Sequence, residues 1–304
     1  MNCQCGQSIL LAEKKDADKE AIEDLTRQAK SQSGPMATLT RARRDQLKAE
    51  VSAETAFKKT IKAANSSLLK TIKAASQSAL IWSIQSYDDE QLVKFILESG
   101  YGLAVDEYID QADKIRQTVK RTFEAIDPDF DFGEVGNQLD AIQSVSAQAV
   151  FDEVILPDVK QSINQGVRDL MADVPVEIVV SNLQARLERS EGRQLTEVKT
   201  RISQFGRGIT SATAEAAGLD HYLYTGPRDG ITRPFCRALI SLVVDQKQMN
   251  KLNNGQGLAV ITGGGGYNCR HSWSPVTEGF MEAAQLTKAT QSDISKANRG
   301  GKRK

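Results

Sequence analysis

The chain reads first as a helix-forming sequence. Between Met36 and Ser86 no proline or glycine interrupts a run dominated by Ala, Lys, Leu, Ile and Glu. Within it, Ile61, Ala64, Leu68, Ile72, Ala75 and Ala79 recur at steps of three and four, the spacing of one face of an α-helix. The pattern predicts one long helix over 36–86, with Asn65-Ser66-Ser67 as the place where it would divide in two. A helix of about 50 residues would be about 75 Å long at 1.5 Å per residue. That exceeds a compact domain and points to a stalk or coiled-coil element.

The flanks follow the same logic. A helix is predicted from about Leu10 to Lys30, ended by the breaker Ser31-Gln-Ser-Gly-Pro35. Residues 1–35 therefore read as a flexible, partly helical arm. Asp88-Asp89-Glu90 put acids where a helix dipole favours them, and that helix is expected to end at Gly100-Tyr-Gly102. Further helices are predicted over about 105–125, from about 134 to 171 with a break at Pro157, and from Pro175 to about Ala217. Gly192, Gly206 and Gly208 weaken the last one locally. Asp127 to Gly133 reads as a loop.

At Gly218 the pattern changes to β-branched and aromatic residues separated by turn dipeptides. Tyr222–Thr225 reads as a strand, Gly226–Gly230 as a turn, and Pro234–Leu242 as a short helix. Leu258–Thr262 and Ser272–Ser274 read as two more strands, and a final helix is predicted from about Thr277 to Ala297. The predicted fold class is mainly α: an elongated helical body over 36–217, a small α+β module over 218–277, then a C-terminal helix and basic tail over 278–304.

Composition narrows the function classes. Hydrophobic residues make up 40% and aromatics only 6% of the 304 residues, lean for a compact enzyme. Lys plus Arg and Asp plus Glu number 39 each, so no global charge argues for nucleic-acid or membrane binding. Basic residues gather from Arg41 to Lys73 and acids from Asp88 to Asp140. Six basic residues lie between Lys288 and Lys304. The two basic segments are candidates for non-specific contact with DNA phosphates or an acidic protein face. No aromatics interleave with the tail, so base stacking is not supported. No apolar run reaches the roughly 18–20 residues that span a bilayer, and the N-terminus lacks the regions of a signal peptide. The expectation is a cytosolic origin with no membrane contact.

Candidate chemistry concentrates after residue 218. The two histidines, His221 and His271, both lie there, with Cys236 and Cys269. A Cys2His2 set is a tetrahedral zinc inventory. In an extended segment, Cys269 and His271 share one face because side chains alternate. The spacing is not that of a familiar zinc finger. Reduced core cysteines and a late disulfide are the competing readings. Cys236 or Cys269 with His271 or His221 and Asp229 can also be drawn as a nucleophilic triad, although nothing marks either cysteine as activated. The run Gly263–Gly266 is not followed by Lys-Ser or Lys-Thr, so it is no P-loop. It is expected to let the backbone turn and pack closely.

The ordered set "GITSATAEAAGL", "YTGPRDGITRPFCRAL" and "GGGGYNCRHSWSPV" resembles the C-terminal module of bacteriophage minor head proteins, the MuF-type head morphogenesis family. The match covers roughly residues 200–277, about a quarter of the chain. Asp229, Thr232, Arg233, Cys236, Cys269, Arg270, His271 and Pro275 take its motif positions. His271 departs from the commoner Cys-Arg-Cys form. The resemblance implies a non-enzymatic minor virion protein, made in the bacterial host cytoplasm. It would be present in several copies, contact the portal or the inner capsid, and lie near packaged DNA. Asp229, Thr232, Arg233, Arg270 and Pro275 would fix the module. A cysteine-dependent hydrolase or effector, and a zinc-stabilised nucleic-acid-binding module, are the alternative readings.

Overall fold

The computed structural model of the chain describes residues 5–74, 87–126 and 131–302. Among the described residues, seven α-helices precede the first strand: α1 (Cys5–Ser31), α2 (Gly34–Ala74), α3 (Asp89–Ile96), α4 (Gly102–Ile126), α5 (Gly136–Ala149), α6 (Leu156–Met171) and α7 (Val176–Ala216). Helices α2 and α7 are 41 residues each. The predicted long helix is unbroken through Asn65–Ser67 as far as Ala74, and Ile61, Ala64, Leu68 and Ile72 are all buried. The rest of that prediction, including Ala75 and Ala79, lies outside the described residues, as does most of the Asp127–Gly133 loop.

Two predicted interruptions become π-helical turns. Leu97–Tyr101 joins α3 to α4, with Gly100 at φ 110°, so the chain kinks where an end was expected. Val150–Ile155 joins α5 to α6, just ahead of Pro157. In the first helical turn a proline's missing N–H costs no intrahelical bond. Asp88 caps α3 through a reciprocal pair with Gln91, as the acidic run predicts.

The described chain forms two compact units. One takes Ser52–Gln111 and Ser144–Lys199; the other takes Met1–Val51, Ala112–Gln143 and Thr200–Lys304. Helices α2, α4, α5 and α7 contribute a segment to each. Among its described residues, the first unit has helices and no strand. Its buried face draws on Phe57 and Ile61 of α2, Tyr101 and Tyr108, and Leu183 and Leu187 of α7. Buried Lys199 pairs with Glu54 at 3.0 Å.

The second unit holds the sheet, in the order β3-β1-β2-β4. The strands are β1 (His221–Thr225), β2 (Leu242–Asp245), β3 (Ser272–Pro275) and β4 (Thr287–Lys288), with β1 antiparallel to β2 and β3, and β4 parallel to β2. Short helices lie between them, α8 (Pro234–Leu239), α9 (Gln246–Met249), α10 (Val260–Gly263) and α11 (Glu278–Ala283), and α12 (Gln291–Gly301) follows β4. Register assigns the faces. Leu223 lies opposite Val243, and both pack with Leu39, Val276, Phe280 and Met281. Tyr224 lies opposite Trp273 and so faces the other way.

Three local predictions need correction. Leu258–Thr262 is not a strand; its apolar residues enter α10 after a loop, where the Val260 carbonyl accepts the Trp273 indole N–H at 2.9 Å. The segment Pro234–Leu242 splits: α8 stops at Leu239, Ser241 takes φ 69°, and β2 begins. The helix predicted over Thr277–Ala297 divides because Gln285 adopts φ 51°. Thr290 and Asp293 then form a capping box that starts α12.

Helix α12 lies against α8 at backbone distance. A Cβ added to Gly300 would stand 2.7 Å from the amide nitrogen of Phe235, so only glycine fits. Gly300→Ala is expected to destabilise the protein by about 1–3 kcal/mol through overpacking, read as a lower urea midpoint. An unchanged midpoint would show that the two helices are not in that contact.

Candidate functional site

The site grows from the parity of two strands. Residues 269, 271 and 273 share one face of the extended segment leading into and along β3, and Tyr224 is the β1 residue on that same face. Cys236 reaches it from α8. The result is a buried group in which the ligand atoms of Cys236, Cys269 and His271 all lie within 4.8 Å of one another. The two sulfurs are 3.8 Å apart, and Cys269 Sγ is 3.8 Å from His271 Nδ1. The Tyr224 hydroxyl sits 3.4 Å from Cys236 Sγ and 3.6 Å from Cys269 Sγ, and its ring stacks on the imidazole.

The ring orientation of His271 is set from behind. Its Nε2 is 2.9 Å from the Pro227 carbonyl, which can only accept, so Nε2 carries the hydrogen. Neutral imidazole then presents a bare Nδ1 to the thiols. The glycine run supplies the opposite wall. The Gly265 N–H donates to Cys269 Sγ at 3.1 Å, and a Cβ at Gly265 would stand 2.3 Å from Cys236 Sγ. Any other residue there would displace the sulfurs.

The backbone carrying Cys269 and His271 is held by arginines. Arg207 of α7 donates to the carbonyls of Thr262, Cys269 and His271. Arg43 of α2 donates to the carbonyl between them, that of Arg270, at 2.9 Å. Arg43 is itself paired with buried Glu50 at 2.9 Å, and Glu50 also accepts from Ser203. Burial opposes ionisation of Glu50, but the Arg43 guanidinium outweighs it and holds the carboxyl below its usual range.

The motif residues close on one another. Arg270 forms a bidentate pair with Asp229 and also donates to the Ala17 carbonyl. Thr232 lies 2.9 Å from the Asp229 carboxylate. Arg233 donates to the carbonyls of Gly265 and Tyr267, both at 2.8 Å. Pro275 pairs with Tyr222 within the sheet. Burial would raise the Asp229 pKa, yet the Arg270 bonds and charge prevail and lower it.

Among the thiols the titration divides. The bond from Cys236 lowers Cys269 well below the usual thiol value, with the Arg207 charge acting in the same direction, against the cost of burial. The same bond, with burial, raises Cys236.

His221 does not join the group. It has the opposite parity to Tyr224 on β1, and its Nδ1 meets Asp220 at 2.7 Å. Nor does a Cys-His-Asp triad assemble. The Asp229 carboxylate faces Arg270, and the His271 ring nitrogens meet Pro227 and Cys269. Both cysteines are free thiols, so the disulfide reading is not realised here. Sequence reasoning missed Arg43, Glu50, Arg207, Tyr224 and the specific role of Gly265. One signal was available: Thr200, Ser203 and Arg207 fall on one helical stripe of α7 and are all buried.

A recess of about 150 Å³ reaches the group, lined by Ile231, Thr232, Arg233, Asn268 and Arg270 together with all three candidate ligands. No protein-family model, curated protein or solved structure matches this chain.

Two outcomes follow from the ion pairs. Arg43→Met leaves Glu50 buried without its guanidinium partner, and is expected to cost about 3–5 kcal/mol, measured by chemical denaturation near neutral pH. A loss below about 1 kcal/mol would show that Glu50 has another source of compensation. Asp229 has a depressed folded pKa. Its contribution is therefore present above its unfolded pKa of about 3.9 and is lost as pH falls through the lower folded value. Comparing denaturation at successive pH values below 5, Asp229→Asn should be less stable at the upper end and show a shallower acid decline than the wild type. Parallel declines would remove Asp229 from the acid response.

Proposed function

We propose that this chain is a non-enzymatic structural protein of a tailed-phage head. Its helices contact portal or inner-capsid subunits, and its C-terminal module serves as a rigid knob. The observation that carries this reading is the mutual closure of the motif. Asp229 binds Arg270, Arg233 holds the glycine segment, and Arg43 and Arg207 tether the closed motif to α2 and α7. Side chains occupied in this way fasten a fold. The Cys-His-Asp arrangement of the hydrolase reading is not assembled, because the Asp229 carboxylate is bound to Arg270 rather than to His271.

Contact with packaged DNA rests on a narrower basis than the basic runs alone. In the Arg41–Lys73 stretch, Arg43 is buried, and Lys58 and Lys62 lie 3.6 and 3.8 Å from Glu191. In the tail, Lys288, Lys296, Arg299 and Lys302 are exposed. That makes the tail the better candidate for a salt-sensitive phosphate contact.

Co-expression with the portal and major capsid proteins of the same genome tests the reading. Particles purified by density gradient are expected to carry this chain in a fixed ratio to portal, by quantitative mass spectrometry. Particles that assemble without it, leaving the protein at the top of the gradient, would sink the proposal.

A further inference from the structure

We propose that Cys236, Cys269 and His271 form a binding site for a divalent metal ion, zinc being the cation it fits, with its fourth position open to the recess beside Thr232 and Asn268. This inference is independent of any role in a phage head.

The donor set comes first. Two sulfurs and one imidazole nitrogen are soft and borderline ligands of the kind that select zinc over magnesium or calcium. Geometry agrees. A tetrahedral ion with Zn–S bonds of about 2.3 Å has a sulfur–sulfur edge of about 3.8 Å, and the sulfurs here are 3.8 Å apart. The nitrogen lies 3.8 Å from Cys269 Sγ, against an expected edge of about 3.6 Å for Zn–N bonds of about 2.05 Å.

The surroundings are those of a ligating set. A metal-bound histidine donates its other ring N–H to a carbonyl or carboxylate, which fixes its tautomer. His271 donates Nε2–H to Pro227 and aims Nδ1 at the sulfurs. The Gly265 N–H supports Cys269 Sγ in the same outer-shell manner. Arg207 and Arg43 lock the backbone of all three residues from 269 to 271, so the ligands are pre-positioned.

Three protein ligands leave one coordination position. The recess touches all three ligands, provides a path to solvent, and has room for a water at that position. Binding is balanced as Zn²⁺ plus the two cysteines giving a zinc dithiolate, with every proton still on sulfur released to solvent. The ion would staple α8 to the segment before β3. His221 would play no part, since it lies on the other face of β1.

The test uses the full chain without a histidine tag, kept reduced, stripped with a chelator, then equilibrated with Zn²⁺ or Co²⁺. The expected result is one ion per chain by elemental mass spectrometry, with thiolate-to-cobalt charge-transfer absorption. His271→Ala should weaken zinc binding by more than the roughly 10–100-fold typical of losing an outer-shell partner, and Cys269→Ser should abolish the charge-transfer band or leave it with one thiolate's intensity. His221→Ala should bind as the wild type does. Because a ligand variant can fail to fold, the wild-type measurement decides alone. A wild-type chain with both thiols titratable and no ion bound at micromolar free zinc overturns the proposal. So does binding that survives Cys269→Ser unchanged, or that His221→Ala abolishes.

Discussion

Three consecutive backbone carbonyls, those of Cys269, Arg270 and His271, are buried just ahead of the ladder that begins at Ser272. Carbonyls in that position have no sheet partner, and leaving them unpaired away from water is costly. Arg207, Arg43 and Arg207 again supply the donors. The choice of residue is physical. A guanidinium offers a rigid planar fork of N–H groups and keeps its charge when buried, whereas a lysine ammonium is a compact point charge without that fork and shifts its protonation readily. With this segment fixed, the positions of Cys269 and His271 follow from strand parity, and everything on that side of the sheet is placed with them.

The arginines impose a second requirement, that their charge be compensated. Glu50 answers Arg43, and Asp229 answers Arg270. Each carboxylate sits where burial alone would neutralise it, and each is kept ionised by its guanidinium. Such pairs contribute modestly to net stability, because desolvation offsets most of the attraction. Their effect is on uniqueness: a shift in the register of the 269–271 segment would leave at least one buried charge alone. The glycine run is the steric counterpart, since at Gly265 the close approach of both sulfurs leaves no room for a Cβ.

The sequence was legible where one rule acted alone. The three- and four-residue steps of α2 and the acidic start of α3 came through because local periodicity and capping decide them. The motif residues Asp229, Thr232, Arg233 and Arg270 were also legible, and they do bond within one small region. What stayed hidden was decided by distant partners. Val260, Ile261 and Thr262 have strand propensity, but no strand pairs with them and they turn instead. His221 looked equivalent to His271 until the register placed it on the opposite face. Arg43 reads as one cation in a basic helix, and nothing near it in the chain announces a carbonyl 227 residues away.

That separation also bears on how the molecule is assembled. The small sheet spans fewer than 70 residues, and by length alone it would be a fast, local folder. Its key backbone segment, however, is completed by side chains from near both ends of the preceding helical stretch. Loop-closure entropy must be met before those bonds form, and contacts of such long sequence separation slow folding. The final path of the glycine run thus depends on the helices that carry Arg43 and Arg207, and closing those long loops is the slow part of placing a sheet whose own strands are local.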